Sequence, residues 1–321
     1  MKIGIVGAGG LGSIFGGGLV GAGHDVWFVD VDPLLVDVLH SNGLTIVHEG
    51  EDRVYPVNAT TESPTVGVCD LVIVLVKAYH TQSAASLARP LVGPDTVIAS
   101  LQNGLGSCDV LAEMFPPEQI VQGVTYHGAT VIAKGIVLHN SIAATYVGPY
   151  TGSDLAGAEL LASAWRSAGW ETYVTPDAGQ QVWNKIVLNS GNAVAALTRL
   201  PSKAMVEQDD VFSLLNGLIR ESAAVAHTLG YTSIDPDAAI TTMVKVLTQN
   251  PDGRASMLQD VLAGRRTEVE VLNGAIARVG AEHGVSTPIN SALYSLIVGF
   301  EHHSALEGNK SRDRVPTRAG A

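Results

Sequence analysis

The chain has 321 residues, of which 46% are hydrophobic and 16% charged, so it is long enough to bury two hydrophobic cores. Its formal net charge of −12, with only 19 Lys and Arg residues, argues against a nucleic-acid-binding surface, because neutralising phosphates needs clustered basic side chains. Cys69 and Cys108 are too few for a disulfide framework. Neither these cysteines nor the scattered histidines have a metal-binding spacing, so we predict no metal site.

The chain opens on a strand, a glycine-rich turn, a helix and a second strand. The first strand runs into Gly7-Ala8-Gly9-Gly10-Leu11-Gly12, and Asp30 closes the second strand. In such a unit the first glycine makes the tight turn, the second lets backbone N–H groups approach a pyrophosphate, and the third lets the helix pack on the strand. The helix N-terminus attracts phosphates, and an acid at the place of Asp30 accepts hydrogen bonds from ribose hydroxyls. The order of these features predicts a dinucleotide-binding site.

Residues 3–23 carry no charge and follow Lys2, which superficially resembles a signal peptide or a membrane span. Many of these residues are glycine, and each glycine costs a helix about 1 kcal/mol relative to alanine. We therefore predict a cytoplasmic protein that has no membrane segment.

The first half of the chain alternates strand-like and helix-like runs, which is typical of a parallel sheet with helices on its faces. The apolar runs 70–76 and 96–100 predict buried strands. Residues 44–47 and 54–57 predict a hairpin inserted in this sheet. Further short strands between 119 and 148, a helix over 155–167 and a strand over 171–175 complete this half.

Beyond residue 177 the pattern becomes entirely helical, with helical spacing over 178–198, 203–229, 236–248 and 267–282. The predicted fold class is α/β, with a Rossmann-type doubly wound sheet followed by an all-helical domain. We place a dinucleotide-binding domain at 1–177 and a helical substrate-binding and catalytic domain at 178–307. The polar segment 308–321 is predicted to be a disordered tail.

Lys185, Asn189 and Asn192 are polar residues in an otherwise apolar helical segment. Their spacing of i, i+4 and i+7 places them on one stripe of a single helix. A solvent-exposed face would more typically carry Glu, Lys and Arg, because Asn is a poor helix former. We interpret the stripe as the wall of a cleft.

Other candidate residues lie at the ends of predicted elements. Lys77 and Asn103 follow two apolar strands, where ligands bind in doubly wound folds. Glu268 lies next to Thr267, which could cap a helix and form a capping box with Glu270. Glu268 would then either stabilise that helix electrostatically or act in a site, and both interpretations stay open.

Taken together, these motifs resemble the ketopantoate reductase (2-dehydropantoate 2-reductase) family over nearly the whole chain. The resemblance is carried by the glycine motif, Lys77, Leu101-Gln102-Asn103-Gly104, Trp183-Asn184-Lys185 with Asn189, and Ser256-Met257-Leu258-Gln259-Asp260 with Glu268. It implies a Rossmann domain followed by a helical domain. It also implies hydride transfer from a reduced nicotinamide cofactor to a small branched 2-keto acid, with 2-dehydropantoate as the first candidate.

The resemblance also implies roles for individual residues. Lys185 would be the general acid, and Glu268 would position it and the substrate. Asn103 would orient cofactor and substrate, Lys77 would contact the cofactor, and the substrate ligands would be Asn189, Ser256 and Asn192. The chemistry agrees, because reduction of a ketone leaves an alkoxide that a buried lysine near a carboxylate can neutralise.

The chain departs from the family pattern at two places. The family's second asparagine stands eight residues after the lysine, where this chain has Ala193, one position beyond Asn192. The family habit is NADPH, with a basic residue after the second strand, whereas this chain has Asp30-Val31-Asp32, and a carboxylate there repels a 2′-phosphate. We therefore predict a preference for NADH over NADPH.

The departures keep other functions in view. An NAD-dependent D-2-hydroxyacid dehydrogenase on the same scaffold is the first alternative. A non-catalytic nucleotide-sensing protein is the second, although it gives Lys185 and Glu268 no reason to occur together. We expect a small-molecule substrate and neither nucleic acid nor membrane as a partner, and we keep a homodimer open beside a monomer.

Overall fold

The computed structural model describes residues 1–313, and of residues 304–313 it describes the backbone alone. The chain forms two compact units, the first over 1–182 and the second from residue 183 onward. The first unit is built on β-sheets and the second on helices. The predicted α/β fold class, with a helical second part, is confirmed.

The strands of the first unit are short and mostly buried. They are β1 (Lys2–Val6), β2 (Asp25–Val29), β3 (Leu44–His48), β4 (Glu51–Tyr55), β5 (Asn58–Thr60), β6 (Leu71–Val74), β7 (Val97–Ser100), β8 (Ile120–Thr125), β9 (Gly128–Ala133), β10 (Ile136–Ser141), β11 (Thr145–Pro149) and β12 (Thr172–Val174). Its helices are α1 (Gly10–Gly21), α2 (Pro33–Asn42), α3 (Thr81–Ala88), α4 (Ser107–Ala112) and α5 (Ala156–Ser167).

In the part of the chain that the structure describes, the main sheet has eight strands in the order β12-β11-β8-β7-β6-β1-β2-β5. All neighbours are parallel except β8 and β11. Both faces are apolar: Ile3 and Ile5 share one core with Phe15 of α1 and Trp165 of α5, whose rings stack at 4.5 Å. Val6 belongs to the core on the other face, with residues of α3 and α4. Burial on both faces explains the uninterrupted apolar strands of the sequence.

The predicted hairpin exists, but its placement in the main sheet is wrong. Strands β3 and β4 belong to a separate sheet of order β4-β3-β10-β9, in which β3 pairs in parallel with β10. Leu44 and Ile46 of β3 are buried in the core that contains Phe15 and Leu19 of α1. Because these apolar side chains cover the helix, the hairpin packs on α1 instead of extending the wound sheet.

The helices that follow are α6 (Ala178–Asn189), α7 (Asn192–Thr198), α8 (Ser202–Glu207), α9 (Asp209–Thr228), α10 (Pro236–Gln249), α11 (Ser256–Leu262), α12 (Asn273–Glu282) and α13 (Pro288–Asp313), with a 3₁₀ turn at Val269–Val271. The segment predicted as one helix over 203–229 is two helices, because Gln208 between them has an extended backbone. Among the described residues, none of the helices combines the length and apolarity needed to cross a bilayer.

The predicted tail differs from the structure at its start. Helix α13 continues to Asp313, so the structure draws residues 308–313 as part of a helix. Adding a residue to an existing helix needs no new nucleus, which lets even a polar segment continue it. Residues 314–321 lie outside the described part of the chain.

Candidate active site

The glycine-rich turn after β1 has the backbone geometry of an anion-binding turn. Gly7 has a φ of 99°, a conformation that side chains other than glycine rarely adopt. A Cβ on Gly12 would lie 2.0 Å from the carbonyl oxygen of Gly7, so only glycine allows α1 to pack this closely on the turn. A Cβ on Gly9, by contrast, would meet no described atom within 4 Å. The backbone at Gly9, just before α1, is therefore open to a phosphate at the N-terminus of the helix.

Four predicted residues follow four adjacent parallel strands. The order β7-β6-β1-β2 places Asn103, Lys77, Gly7 and Asp30 after strands whose carboxyl ends share one edge of the sheet. The chain order reverses at β1, which has β6 on one side and β2 on the other. Ligands of doubly wound folds bind at such a switch point. The first unit therefore collects the predicted cofactor residues at one edge.

Asp30 is held in place by the backbone. Its Oδ2 accepts a hydrogen bond from Ala8 N at 2.8 Å, and its Oδ1 accepts one from Asp32 N at 3.0 Å. The two bonds fasten the carboxylate to the glycine-rich turn on one side and to its own loop on the other. Each carboxylate oxygen has two lone pairs, so Asp30 keeps capacity for ribose hydroxyls.

A lysine that the sequence analysis missed lies close to this loop. Lys134, between β9 and β10, forms an ion pair with Asp32, which also caps α2 by accepting hydrogen bonds from Leu34 N and Leu35 N. The ammonium group lowers the pKa of the Asp32 carboxyl. No local signal could have revealed this pair, because the second sheet brings together residues that are 102 positions apart.

Gln102 is a second residue that the sequence analysis assigned no role of its own. Its Nε2 donates to Val76 O and to Thr81 Oγ1, both at 2.9 Å, and its Oε1 accepts from Ser100 Oγ. Gln102 thereby connects the loop after β7, which carries Asn103, with the loop after β6, which carries Lys77. Its position before Asn103 in Leu101-Gln102-Asn103-Gly104 was the available signal.

In the second unit, Lys185 and Glu268 lie close enough to interact electrostatically. Lys185 is half-buried on α6, and Glu268 is only 7% exposed, immediately before the 3₁₀ turn. Burial lowers the pKa of Lys185 to about 8, and the charge of Glu268 opposes this change by raising that pKa. A lysine with this pKa is still mostly protonated at neutral pH, but it gives up its proton more readily than an exposed lysine.

The surroundings of Glu268 differ from the predicted helix start at residue 267. Thr267 Oγ1 accepts from Val269 N at 3.3 Å, but Thr267 N donates to Glu301 Oε1, so Glu270 does not complete a capping box. Glu270 instead accepts from Tyr294 Oη. Because a three-residue 3₁₀ turn follows, there is no long helix whose dipole Glu268 could stabilise.

The predicted single helix over 178–198 is wrong, and this changes the position of Asn192. Lys185 and Asn189 lie one turn apart on α6, but α6 ends at Asn189 and Asn192 begins α7. The break lies at Ser190 and Gly191, where a Cβ on Gly191 would lie 2.9 Å from Leu215 Cδ2 of α9. Asn192 is therefore not the third member of one helical stripe.

Ser256 is the first residue of α11, and it is exposed. One turn later Asp260 is 2% exposed and accepts hydrogen bonds from Arg265 Nε at 3.0 Å and Nη2 at 2.9 Å. This pair closes the loop between α11 and Thr267. Searched among the described residues, His, Cys, Asp and Glu form no cluster that could hold a metal ion.

Comparison with protein families gives two matches that together cover most of the chain. Residues 3–152 match the family described as "Ketopantoate reductase PanE/ApbA", and residues 177–301 match "Ketopantoate reductase PanE/ApbA C terminal". A 2-dehydropantoate 2-reductase of Halobacterium salinarum is 33% identical over 300 residues, covering 92% of this chain and 98% of that protein. The corresponding protein of Pyrococcus abyssi is 34% identical over 311 residues, covering 97% and 100%.

Solved structures agree with these matches. A 2-dehydropantoate 2-reductase from Geobacter metallireducens superposes with a TM-score of 0.89 at 29% identity, covering 93% of this chain and 99% of that one. A D-mandelate dehydrogenase bound to NADH and anilino(oxo)acetate superposes with a TM-score of 0.90 at 24% identity, covering 95% and 99%. At this lower identity, the likeness to the mandelate enzyme shows a shared fold.

Proposed function

Because this chain belongs to the ketopantoate reductase family, we propose that it reduces a small branched 2-keto acid, 2-dehydropantoate, with a reduced nicotinamide dinucleotide. The observation that carries the proposal is that the half-buried Lys185 lies beside the buried side chain of Glu268 and has a pKa of about 8. A merely structural lysine on a helix would be more exposed and fully basic.

The first unit supplies residues that suit such a cofactor. The turn Gly7–Gly12 and the N-terminus of α1 would hold the pyrophosphate, and Asp30 would accept bonds from the ribose. Lys77 and Asn103, at the same edge of the sheet, would contact the nicotinamide half and the substrate. When bound, the reduced nicotinamide supplies the hydride that converts the ketone to an alcohol.

Lys185 would supply the proton that completes the alcohol. Its Nζ would donate a hydrogen bond to the substrate carbonyl oxygen, polarise the carbonyl group, and transfer a proton as negative charge develops on that oxygen. With a pKa of about 8, roughly nine lysines in ten are protonated at pH 7. Glu268 keeps this fraction high, because its charge raises the pKa that burial lowers.

The substrate carboxylate and hydroxyl would be bound by neutral side chains. Asn189 lies one turn after Lys185 on α6, and Ser256 lies at the N-terminus of α11. Asn192 remains a proposed ligand, now as the first residue of α7. Amide and hydroxyl groups bind such a substrate without adding a charge that would change the titration of Lys185.

We propose NADH as the preferred cofactor, and the support comes from Asp30. Rotating this carboxylate away from a 2′-phosphate would break its bonds to Ala8 N and Asp32 N. Lys134, the cation near this loop, is paired with Asp32, so Asp30, Asp32 and Lys134 carry a combined charge of −1. An anionic phosphate is therefore disfavoured here.

The alternative function is an NAD-dependent D-2-hydroxyacid dehydrogenase. It is favoured by Asp30 and by Ala193, which is completely buried where the family resemblance implies a substrate asparagine. The test is a screen of 2-keto acids with both reduced cofactors, following the absorbance of the reduced nicotinamide. The highest kcat/KM with 2-dehydropantoate is expected, a higher value with an aromatic or linear 2-keto acid would establish the alternative, and no turnover would contradict both.

A further inference from the structure

A buried chain of polar groups runs through the second unit and is not explained by substrate or cofactor chemistry. Asn273 Nδ2 donates to Ser190 O and to Asn290 Oδ1, both at 3.0 Å. Asn290 Nδ2 in turn donates to Glu221 Oε2 at 2.9 Å. Ser190, Asn273 and Asn290 are completely buried. The chain therefore joins the end of α6 to α12, α13 and α9 inside the core.

The first link lies at the break between α6 and α7. In a continuous helix, Ser190 O would accept from the amide of Val194, but Val194 N instead donates to Gly191 O at 3.1 Å. The carbonyl oxygen of Ser190 therefore lacks its helical hydrogen bond. It is buried, and Asn273 Nδ2 donates a hydrogen bond to it. A buried carbonyl without a partner is costly, so Asn273 stabilises the α6 end where it now lies.

The same asparagine is connected to the segment that carries Glu268. Asn273 begins α12 two residues after the 3₁₀ turn Val269–Val271, and Glu268 directly precedes that turn. Lys185 lies slightly more than one turn before Ser190 on α6. Asn273 thus hydrogen-bonds the residue that follows the lysine helix to the start of α12, five residues after Glu268.

The orientation of the amide is fixed at a cost. Both hydrogens of Nδ2 are used, whereas Oδ1 is buried and has no hydrogen-bond partner among the described residues. A buried amide that is only half satisfied is expensive compared with an apolar side chain of similar size. A residue that contributed only to packing would therefore be apolar at this place.

We propose that Asn273 is a positioning residue that sets the distance between Lys185 and Glu268. It touches neither substrate nor cofactor, and it acts by anchoring the end of α6 to the turn that follows Glu268. Glu221 holds Asn290, since it accepts from Asn290 Nδ2 and from the backbone N–H groups of Ile289 and Asn290. This inference rests on the proposed catalytic roles of Lys185 and Glu268.

The expected effect of Asn273→Ala follows from the two influences on Lys185. We expect loosening the anchor to increase the distance between Lys185 and Glu268 without changing the burial of Lys185. The charge of Glu268, which raises the pKa, then acts more weakly. We expect the proton affinity of Lys185 to fall by at least about threefold. We expect kcat to fall by at least about tenfold, because small displacements of catalytic groups are costly. KM for the reduced cofactor should stay unchanged.

The experiment measures kcat against pH and, independently of activity, the titration of the Lys185 ¹³Cε resonance, which is assigned by its loss in Lys185→Arg. Asn273→Ala and the milder Asn273→Ser are compared with Asn290→Ala, which removes a buried amide but leaves the bond from Asn273 to Ser190. All variants are assayed well below their measured Tm. The lysine titration should move to lower pH in the Asn273 variants and stay in place in Asn290→Ala.

The outcomes separate this inference from the proposed function. An unchanged titration, or one that moves to higher pH because water reaches the lysine, would overturn the role of Asn273. Full turnover in Lys185→Ala would instead remove Lys185 as general acid, and the positioning role would fall with it. Loss of turnover in Lys185→Ala together with normal behaviour of both Asn273 variants would overturn the positioning role alone.

Discussion

The proposed cofactor edge of the first unit, which carries Gly7, Asp30, Lys77 and Asn103, differs in construction from the pair of Lys185 and Glu268 in the second unit. The edge uses backbone: a left-handed Gly7, a close contact at Gly12 and amide groups that hold Asp30. The pair consists of two side chains that are far apart in sequence and that interact electrostatically. A site made of backbone groups can be recognised from the spacing of neighbouring residues, whereas a site made of side chains depends on packing between distant helices. Substitutions should therefore separate the two sites functionally.

The largest effect is expected for Lys185→Ala. Removing the proposed general acid should lower kcat by at least about a hundredfold, while binding of the reduced cofactor, measured by its fluorescence, remains normal. Lys203→Ala is the matched control, because Lys203 is an exposed lysine on α8 that pairs with Glu207. Near-normal turnover of folded Lys185→Ala, or a comparable loss in the control, would contradict the assignment.

Glu268→Gln should have the next largest effect. We expect kcat/KM to fall by more than about tenfold, because the neutral amide no longer positions the charged lysine. Loss of the glutamate charge removes the influence that raises the pKa of Lys185, so the pH at which kcat declines should move downward. Glu270→Gln, two residues further on and exposed, is the control. A lower Tm with unchanged kinetics would return Glu268 to a structural role.

Cofactor choice tests the backbone-built edge separately. At an effective dielectric of about 20, unit like charges 4 Å apart repel by roughly 4 kcal/mol, so Asp30 should favour NADH over NADPH. In Asp30→Asn we expect kcat/KM with NADH, divided by kcat/KM with NADPH, to fall by at least about tenfold. The pH profile assigned to Lys185 should stay unchanged. Asp37→Asn, an exposed aspartate on α2, should leave the ratio unchanged. A wild-type preference for NADPH would show that Asp30 does not face the ribose.

The smallest effect is the pH dependence of the unmodified protein. We propose Lys185 as the proton donor, and with a pKa of about 8 it is mostly charged below that pH, so kcat should fall by about half on raising the pH to 8. The rate of cofactor binding, which depends on the other unit, should stay flat over the same range. A kcat that remains constant to pH 9 would mean that the proton comes from another group.

The sequence sufficed for whatever depends on neighbours along the chain. The turn Gly7–Gly12, the strands before Lys77 and Asn103, and the pairing of Lys185 with Asn189 on one helix could be predicted, because strand ends and helical periodicity are local properties. The helix break at Ser190 was missed, because the apolar spacing continues through it; in the structure Gly191 packs near Leu215 and Asn273 donates to Ser190 O. A helical pattern alone continues smoothly through this point.

The pairing of segments that are distant along the chain could not be predicted from the sequence either. The hairpin of β3 and β4 has the same apolar pattern whether it extends the main sheet or pairs with β10, and only the core around α1 decides between them. The ion pair of Lys134 with Asp32 and the link of Asn273 to Asn290 likewise join segments that no local motif connects. The candidate site residues were thus accessible from motifs, while their contacts with residues of distant segments were not.

The second sheet has a consequence for the order in which this protein acquires structure. Helix α1 packs against β3, β9 and β10, and β9 begins more than a hundred residues after α1 ends. Contacts of such sequence separation form late, because a long loop must close first. During synthesis the glycine-rich turn therefore leaves the ribosome long before its helix is covered. We expect fragments that end before β9 to contain the whole motif and still bind no nucleotide.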